Sequence, residues 1–251
     1  MNQVSQRAIA IGICSPALLV GWSAGGLAER PSDVQRLLIS QQCNGCDLER
    51  AVLSGTQLIG ASLVRTNLTD ANLREAVLSN SNLQGATLTN ADLQAAALTR
   101  ANFTAATLLD SNLATARLAY ADFSQANLQG ADLSGAIAPE SVFVQADLTA
   151  ADLSAAVLIQ ASFTSAILTG SDLQSANLSQ AYFIRADLSE ANLREADLSR
   201  ARLVRSNLDG ADLTDASLLN AVTDRATFVD TIFCRTTMPD GHQNNEDCPA
   251  E

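Results

Sequence analysis

The sequence predicts a solenoid, a fold in which short coils of chain stack along one axis. The prediction rests on a five-residue repeat that runs from Cys46 to Phe233 without insertion or deletion. The central residue of each pentad, called the centre below, is Leu or Phe at 36 of 38 positions, and Ala138 and Thr223 are the exceptions. The residue two places earlier is Ala in 29 of the 38 pentads and Ser, Thr or Cys in the others. A period of five matches neither the 3.6 of a helix nor the 2 of a strand, and indicates a repeat architecture.

The pentads also carry a family resemblance. Runs such as Ala-Asp-Leu-Ser-Gly at 131–135 and Ala-Asn-Leu-Arg-Glu at 191–195 resemble the pentapeptide-repeat family over about residues 46–233. The resemblance implies an all-β fold, a right-handed quadrilateral parallel β-helix with four pentads in each coil. The 38 pentads would then form about 9.5 coils of 20 residues. The centre and the small residue two before it would point inward, and the other three would face solvent.

The positions of Phe support a 20-residue coil independently. Five centres spaced by 20 residues are Phe, and the centres between them are Leu apart from Ala138. These five are Phe103, Phe123, Phe143, Phe163 and Phe183. Stacked rings pack densely, so we expect a Phe ladder along one inner face. At about 4.8 Å between coils, the rod should be about 45 Å long.

Residues 1–28 are typical of a signal peptide or membrane anchor. Arg7 is followed by an uncharged stretch that is apolar over residues 8–20 and then rich in small residues, as in a secretory signal cleaved after Ala28. The stretch is also about long enough to cross a bilayer. A cleaved signal, a retained anchor formed by residues 8–28 and an untargeted extension are the alternatives. Cleavage would remove only Arg7 among the charges and change the net charge from −12 to −13.

The segments that flank the repeat are predicted to cap it. Residues 29–45 should form a capping helix and turn, with Ser32 as N-cap of a helix from about Asp33 to Gln41. The β-helix should occupy residues 46–236, and a tail or cap residues 237–251. The segments 34–48 and 233–241 are similar to the entry and exit of exported cyanobacterial pentapeptide-repeat proteins. This similarity implies the periplasm or the thylakoid lumen as the location.

Four cysteines remain beyond residue 28, two at each end of the predicted rod: Cys43, Cys46, Cys234 and Cys248. No disulfide and no four-cysteine zinc site spans the tens of ångströms between the ends. We therefore expect a structural disulfide at each end in an oxidising compartment. A thioredoxin-like role for the first pair would need a βαβ context that the sequence lacks.

One outward column is acidic or amidic. It lies directly before the centres of one face and consists of Asn72, Asp92, Asn112, Asp132, Asp152, Asp172, Asn192 and Asp212. We expect these side chains to accept local hydrogen bonds from the backbone at the bends. Cation binding and imitation of nucleic-acid phosphates are the alternatives.

A cationic stripe is predicted from Arg185, Arg205 and Arg225, which also recur every 20 residues. One interpretation is an ordinary solvated face that nearby acids neutralise, with Asp187, Glu190 and Glu195 as candidates. The other is a docking patch for an acidic partner.

Two isolated residues differ from the pattern of the repeat. Pro139 is expected to remove a donor from the inter-coil ladder and to dent the rod locally. His242, the only histidine, lies in the polar tail beyond the repeat and is not expected to be catalytic.

The predicted function is that of a non-enzymatic exported scaffold or protein-binding module that presents a rigid acidic rod. No cofactor and no metal are predicted, the partner is an unidentified protein, and membrane contact is expected only through an uncleaved N-terminal segment. The alternative is a cytoplasmic DNA mimic, because some pentapeptide-repeat proteins, including quinolone-resistance types, resemble duplex DNA and interact with topoisomerases. The net acidity supports that alternative, whereas a signal peptide argues against it.

Overall fold

The computed structural model describes residues 32–248, so the predictions for residues 1–28 lie outside the described residues. The elements are one helix, α1 (Asp33–Ser40), and two short antiparallel strands, β1 (Thr236–Thr237) and β2 (Gln243–Asn244). Between α1 and β1 the chain forms single parallel bridges instead of long strands. In this part of the chain no helix is long and apolar enough to cross a membrane.

The bridges form four ladders along the rod, because each joins residues that are 20 apart. The ladders run from Gln42 to Val222, from Asp47 to Thr227, from Val52 to Ile232 and from Gln57 to Thr237. The ladders define four faces. Face 1 contains residues 61–65 and every fourth pentad before and after it, and faces 2, 3 and 4 contain residues 66–70, 71–75 and 76–80 in the same way. The structure therefore has the predicted 20-residue coil with four sides.

Backbone hydrogen bonds hold successive coils together. The centre and the last residue of a pentad donate to the next coil, as Leu73 does to the carbonyl of Asp92 at 2.7 Å. The second residue of each pentad donates to the preceding coil, as Asn72 does to the carbonyl of Ala51 at 2.9 Å. The N–H of the fourth residue takes no part in these ladders.

Pro139 occupies this fourth position, which explains why the ladder is continuous there. Ala138 donates to the carbonyl of Val157 at 2.8 Å, and Glu140 donates to that of Ile159 at 2.9 Å. The prediction that Pro139 removes a ladder donor is therefore wrong, since no fourth-position N–H among the described residues donates to a main-chain carbonyl of another coil. Val64 and Val229 reach another coil at this position, but their acceptors are side chains.

The interior consists of the centres and the small residues before them. The five predicted Phe rings lie fully buried and stacked, with centroids 4.7–5.0 Å apart and planes within 2–4° of parallel. That separation is the spacing of hydrogen-bonded strands, so each ring sits on its neighbour with the rise of the backbone. The inward Ala beside each centre leaves room for one large side chain per face.

The corners require a left-handed backbone. The last residue of each pentad has positive φ, and the values for residues other than Gly lie between 52° and 61°. This conformation costs a non-glycine residue about 1–2 kcal/mol. Hydrogen bonds across each corner offset that cost, as between the N–H of Ala71 and the carbonyl of Leu68 at 3.0 Å.

Each end of the rod carries a cap. At the N-terminal end, Ser32 and Gln35 form a capping box at the start of α1, and Leu37 is fully buried against the first coil. At the C-terminal end, β2 folds back on β1 and the chain continues along the last coil to Cys248, which is bonded to Cys234.

Candidate partner-binding face

The three arginines of the predicted stripe occupy the same corner of face 1 in three successive coils. Arg185, Arg205 and Arg225 all have left-handed φ, 58–60°, and all are exposed. Among the described residues, no carboxylate lies within ion-pair distance of any of the three. The stripe is therefore a column of cationic groups stacked at the inter-coil rise.

The acids proposed to neutralise the stripe have other contacts. Glu195 accepts a hydrogen bond from the hydroxyl of Ser175 at 3.0 Å. Asp187 accepts from the backbone N–H of Ser189 at 3.1 Å and from the amide of Asn207 at 3.0 Å. None of the three candidate acids, Asp187, Glu190 and Glu195, forms an ion pair with the stripe among the described residues.

An open groove runs beside the stripe. It has a volume of about 620 Å³, and besides the three arginines its lining residues are Thr164, Ile184, Val204 and Asp224. A second hollow of about 500 Å³ shares Thr164 and extends along face 1 past Ser162 and Tyr182 towards Glu140. Face 1 therefore offers a groove parallel to the rod axis with an apolar wall and a cationic rim.

The opposite border of face 1 is also cationic. The guanidinium of Arg202 lies over the ring of Tyr182, 6.0 Å from its centroid. Arg200 stands at the neighbouring corner, at the end of the preceding pentad of face 4. In these coils, face 1 thus has arginines along both borders, although the chain as a whole carries a net charge of −12.

The Asp and Asn column of face 3 has a local structural role. In all eight residues the side-chain Oδ1 accepts a hydrogen bond from the backbone N–H two residues later, at 2.8–3.2 Å. Arg74 and Arg194 also reach across one coil to Asp92 and Asp212, at 3.1 and 3.0 Å. The column therefore fixes the bends, as the interpretation from local hydrogen bonding predicts.

Asp212 illustrates the electrostatics of this column. Partial burial pushes the pKa of its carboxyl upward, but hydrogen bonds from Thr214 and the guanidinium of Arg194 outweigh burial and hold the pKa below its ordinary value. The carboxylate is thus stabilised in its ionised form by groups of the same face.

The cysteines lie apart from the arginine stripe, at the two ends of the rod. Disulfides join Cys43 to Cys46 and Cys234 to Cys248, with Cα atoms 5.3 and 4.7 Å apart. Asp33 lies beside the first disulfide. Because both sulfurs of that pair are bonded to each other, the cluster offers no thiolate ligand to a metal. His242 contacts Asp240 within the tail.

The sequence did not reveal the groove or the contribution of Tyr182. The 20-residue register does place Thr164, Ile184 and Val204 in one column next to the arginines, so the residues that line the groove could be grouped from the sequence. Column membership alone does not show that a surface is concave, because that depends on the size of every neighbour.

Comparison with known proteins identifies the repeat. The model of the family described as pentapeptide repeats matches residues 38–70, 66–104, 96–135, 141–180, 181–220 and 201–238, with eight copies. The chain belongs to the pentapeptide-repeat family. Proteins of this family form a right-handed quadrilateral β-helix and are generally non-enzymatic structural or binding modules.

Solved pentapeptide-repeat structures resemble this chain. HetL, involved in heterocyst differentiation regulation in the cyanobacterium Nostoc sp. strain PCC 7120, is 31% identical, with 84% of this chain and 98% of HetL covered and a TM-score of 0.46. QnrB1, a plasmid-mediated fluoroquinolone resistance protein, is 18% identical, with 71% and 84% covered and a TM-score of 0.47. A protein from the thylakoid lumen of Arabidopsis thaliana is 26% identical, with 48% and 70% covered and a TM-score of 0.21. No match was found among curated proteins.

Proposed function

We propose that this pentapeptide-repeat protein is a non-enzymatic exported scaffold that binds an acidic protein partner through face 1 of its C-terminal third. The observation that carries the proposal is the stripe of Arg185, Arg205 and Arg225, which has no carboxylate partner among the described residues and borders an open groove. The rest of the rod serves as a rigid support that holds this face.

Electrostatics favours an acidic partner. Like charges stacked at the coil spacing repel one another, so the unpaired stripe is less stable alone than when carboxylates lie against it. A cationic patch on a chain of net charge −12 also orients an approaching acidic surface, because the remainder of the rod repels it.

Export is the second part of the proposal. Residues 1–28 have the pattern of a signal peptide, and one disulfide lies at each end of the rod. Disulfides persist in oxidising compartments, which supports the periplasm or the thylakoid lumen, with a membrane anchor as the alternative. Cell fractionation tests this part. Recovery of the protein in the cytoplasm would favour the DNA-mimic alternative.

The docking face is tested by charge reversal. The variant Arg185→Glu, Arg205→Glu, Arg225→Glu should lose capture of the partner from the exported fraction while its circular dichroism spectrum stays unchanged, since exposed charges contribute little to folding. The matched control, Arg65→Glu, Arg100→Glu, Arg117→Glu, changes the net charge equally on arginines that also lack an ion pair among the described residues. Unaltered capture by the first variant would refute the assignment, and equal loss in both would reduce it to a net-charge effect.

A further inference from the structure

Within the part of the chain that the structure describes, the last coil ends in an open β-edge on two of its four faces. In the preceding coil, Leu203 and Arg205 donate their N–H groups to the carbonyls of Val222 and Asp224, at 2.8 and 2.9 Å. One coil later on face 1, the N–H groups of Thr223 and Arg225 have no acceptor within residues 32–248. The same is true of Phe228 and Asp230 on face 2. These four N–H groups define what we call the terminal edge.

As far as Cys248, the C-terminal tail contacts the other two faces of the last coil. On face 3, Asp247 and Asn245 accept hydrogen bonds from the N–H groups of Phe233 and Arg235, at 2.9 and 3.1 Å. On face 4, Met238 donates to the carbonyl of His242 at 2.8 Å. Up to Cys248, the tail thus supplies acceptors along half of the last coil and none to the terminal edge.

Exposed apolar side chains lie beside the terminal edge. The side chains of Val222 and Val229 are 40% and 61% exposed, and Thr223 and Phe228 are half-buried, whereas the centres one coil earlier are fully buried. Unpaired backbone donors next to exposed apolar side chains are the features of a sheet edge that accepts an added strand.

We propose that the acidic partner adds an extended strand to the terminal edge. This inference rests on the proposed function, since the same partner lies against the arginine stripe. The backbone carbonyls of the added strand accept hydrogen bonds from the N–H groups of Thr223 and Arg225. The strand thereby continues the face 1 ladder by one coil. An inward apolar side chain covers Thr223, and an outward carboxylate lies next to Arg225.

Charge selects this occupant over a second copy of the chain. Arg225 is both the last residue of the arginine stripe and a donor of the terminal edge. A strand whose carbonyls pair with the terminal edge therefore also brings a carboxylate next to Arg225, the last cation of the stripe. A second copy would bring the same arginine and its own net negative charge to the interface.

The probe for the test is an acetylated, amidated octapeptide of alternating Val and Glu. At saturating peptide, hydrogen exchange measured by NMR should slow by about tenfold or more at the Thr223 and Arg225 amides, because each gains an acceptor. The amide of Phe233, which already has an acceptor in Asp247, should not change. The same peptide with N-methylated glutamates should give no protection.

Two proline variants separate the edge from the stripe. Thr223→Pro removes a donor of the terminal edge and should weaken peptide binding by about tenfold. Val144→Pro is the matched control, because Val144 is an uncharged residue at the fourth position of a face 1 pentad and does not line the groove. Pro139 shows that the ladder stays intact with proline at this position, so the affinity of Val144→Pro for the peptide should equal that of the unaltered protein.

The outcomes distinguish the two proposals. If Thr223→Pro binds as tightly as Val144→Pro and the amides of Thr223 and Arg225 stay unprotected, the strand-addition inference is wrong. Loss of binding on charge reversal of the stripe would still leave the proposed function standing. If charge reversal has no effect, the proposed function falls. Protection of the same amides in a peptide-free dimer, seen as a doubled mass by analytical ultracentrifugation, would assign the edge to a second copy.

Discussion

Asp247 accepts a hydrogen bond from the backbone N–H of Phe233 at 2.9 Å. Its carboxylate thus takes the place of the main-chain carbonyl that a further coil would supply. In the preceding coil, the equivalent N–H of Leu213 donates to the main-chain carbonyl of Ile232 at 3.0 Å. The opposite end has a counterpart, in which Asp33 accepts from the N–H of Asp47 at 2.9 Å. Carboxylates thus end the ladder at both ends, much as an N-cap ends a helix.

The cap at Asp247 should contribute measurably to stability. Asp247→Ala leaves the N–H of Phe233 without its acceptor and is expected to lower the free energy of unfolding by about 1–3 kcal/mol, the range for an unsatisfied or charge-assisted hydrogen bond. Urea denaturation followed by circular dichroism measures the change. The control is Glu246→Ala at the neighbouring exposed residue, which should change stability by less than about 0.5 kcal/mol. Equal effects of the two substitutions would contradict the capping role.

The repeat itself was predictable because each pentad carries the same information. An inward centre and an inward small residue follow from their identity at fixed positions, and the spacing of Phe103 and Phe123 is itself the length of a coil. The capping helix after Ser32 and a disulfide at each end were also predictable, but the hydrogen bonds of the C-terminal cap were not. Asn245 and Asp247 lie outside the repeat, and their partners depend on the path by which the tail folds back.

The candidate site was only partly predictable. The register alone places Arg185, Arg205 and Arg225 in one column. The register does not show whether nearby acids form ion pairs with these arginines, because that depends on which group each carboxylate contacts. Glu195, for example, accepts a hydrogen bond from Ser175. The terminal edge at Thr223 was also not predictable from the sequence, since it depends on the tail, up to Cys248, contacting two faces of the last coil instead of four.

The Phe ladder should be most sensitive at its middle. Phe143 is fully buried between the rings of Phe123 and Phe163, with centroids 5.0 and 4.9 Å away. Phe143→Ala is expected to cost about 3–5 kcal/mol, because it removes a buried ring and leaves a cavity that a repetitive backbone cannot close. Val144→Ala, on the outward side of the same pentad, should cost less than about 1 kcal/mol. A loss below about 1 kcal/mol for Phe143→Ala in thermal or chemical denaturation would contradict the packed ladder.

Substitution by glycine should have opposite effects on stability at two adjacent alanines, Ala155 and Ala156. Ala155 is an exposed corner residue with φ of 54°, and glycine should stabilise the protein there by about 0.5–1 kcal/mol, because the relief of left-handed strain exceeds the entropy lost. Ala156 is buried beside a centre, and Ala156→Gly should destabilise by about 1 kcal/mol, because it gives the unfolded chain more freedom and removes a packed methyl. Differential scanning calorimetry of both variants decides the matter. The same sign for both would show that corner strain is not what limits stability.

The C-terminal disulfide should stabilise the protein more than the N-terminal one. The sequence separation is 14 residues between Cys234 and Cys248 and three between Cys43 and Cys46. The C-terminal disulfide therefore restricts a longer loop of the unfolded chain. Replacing Cys234 and Cys248 by Ser is expected to cost about 3 kcal/mol, and the same change at the N-terminal pair about 2 kcal/mol. Peptide mapping of the non-reduced protein should show these two pairings. Free thiols at Cys234 and Cys248, or a linkage between the two ends, would contradict the capping model.

The ion pair of Asp215 and Arg235 should make the stability of the last coils depend on pH in the acid range. The Nε of Arg235 donates to Oδ1 of Asp215 at 2.6 Å, and this hydrogen bond is the main reason why the pKa of the Asp215 carboxyl lies below its ordinary value. Because the pKa is lower in the folded protein than in the unfolded chain, the ionised carboxylate favours folding above the unfolded pKa of about 3.9. That contribution is lost as the pH falls through the folded pKa.

Arg235→Gln should therefore move the NMR-titrated pKa of Asp215 upward towards its ordinary value and should flatten the fall in stability below about pH 4. Arg225→Gln is the matched control, because Arg225 has no ion pair with Asp215, and the Asp215 titration should not change. High salt should shift the Asp215 pKa upward in the unaltered protein, since the pair is partly exposed and screened by ions. A pKa of Asp215 that is the same in Arg235→Gln and in the unaltered protein would show that the guanidinium does not hold this carboxylate in solution.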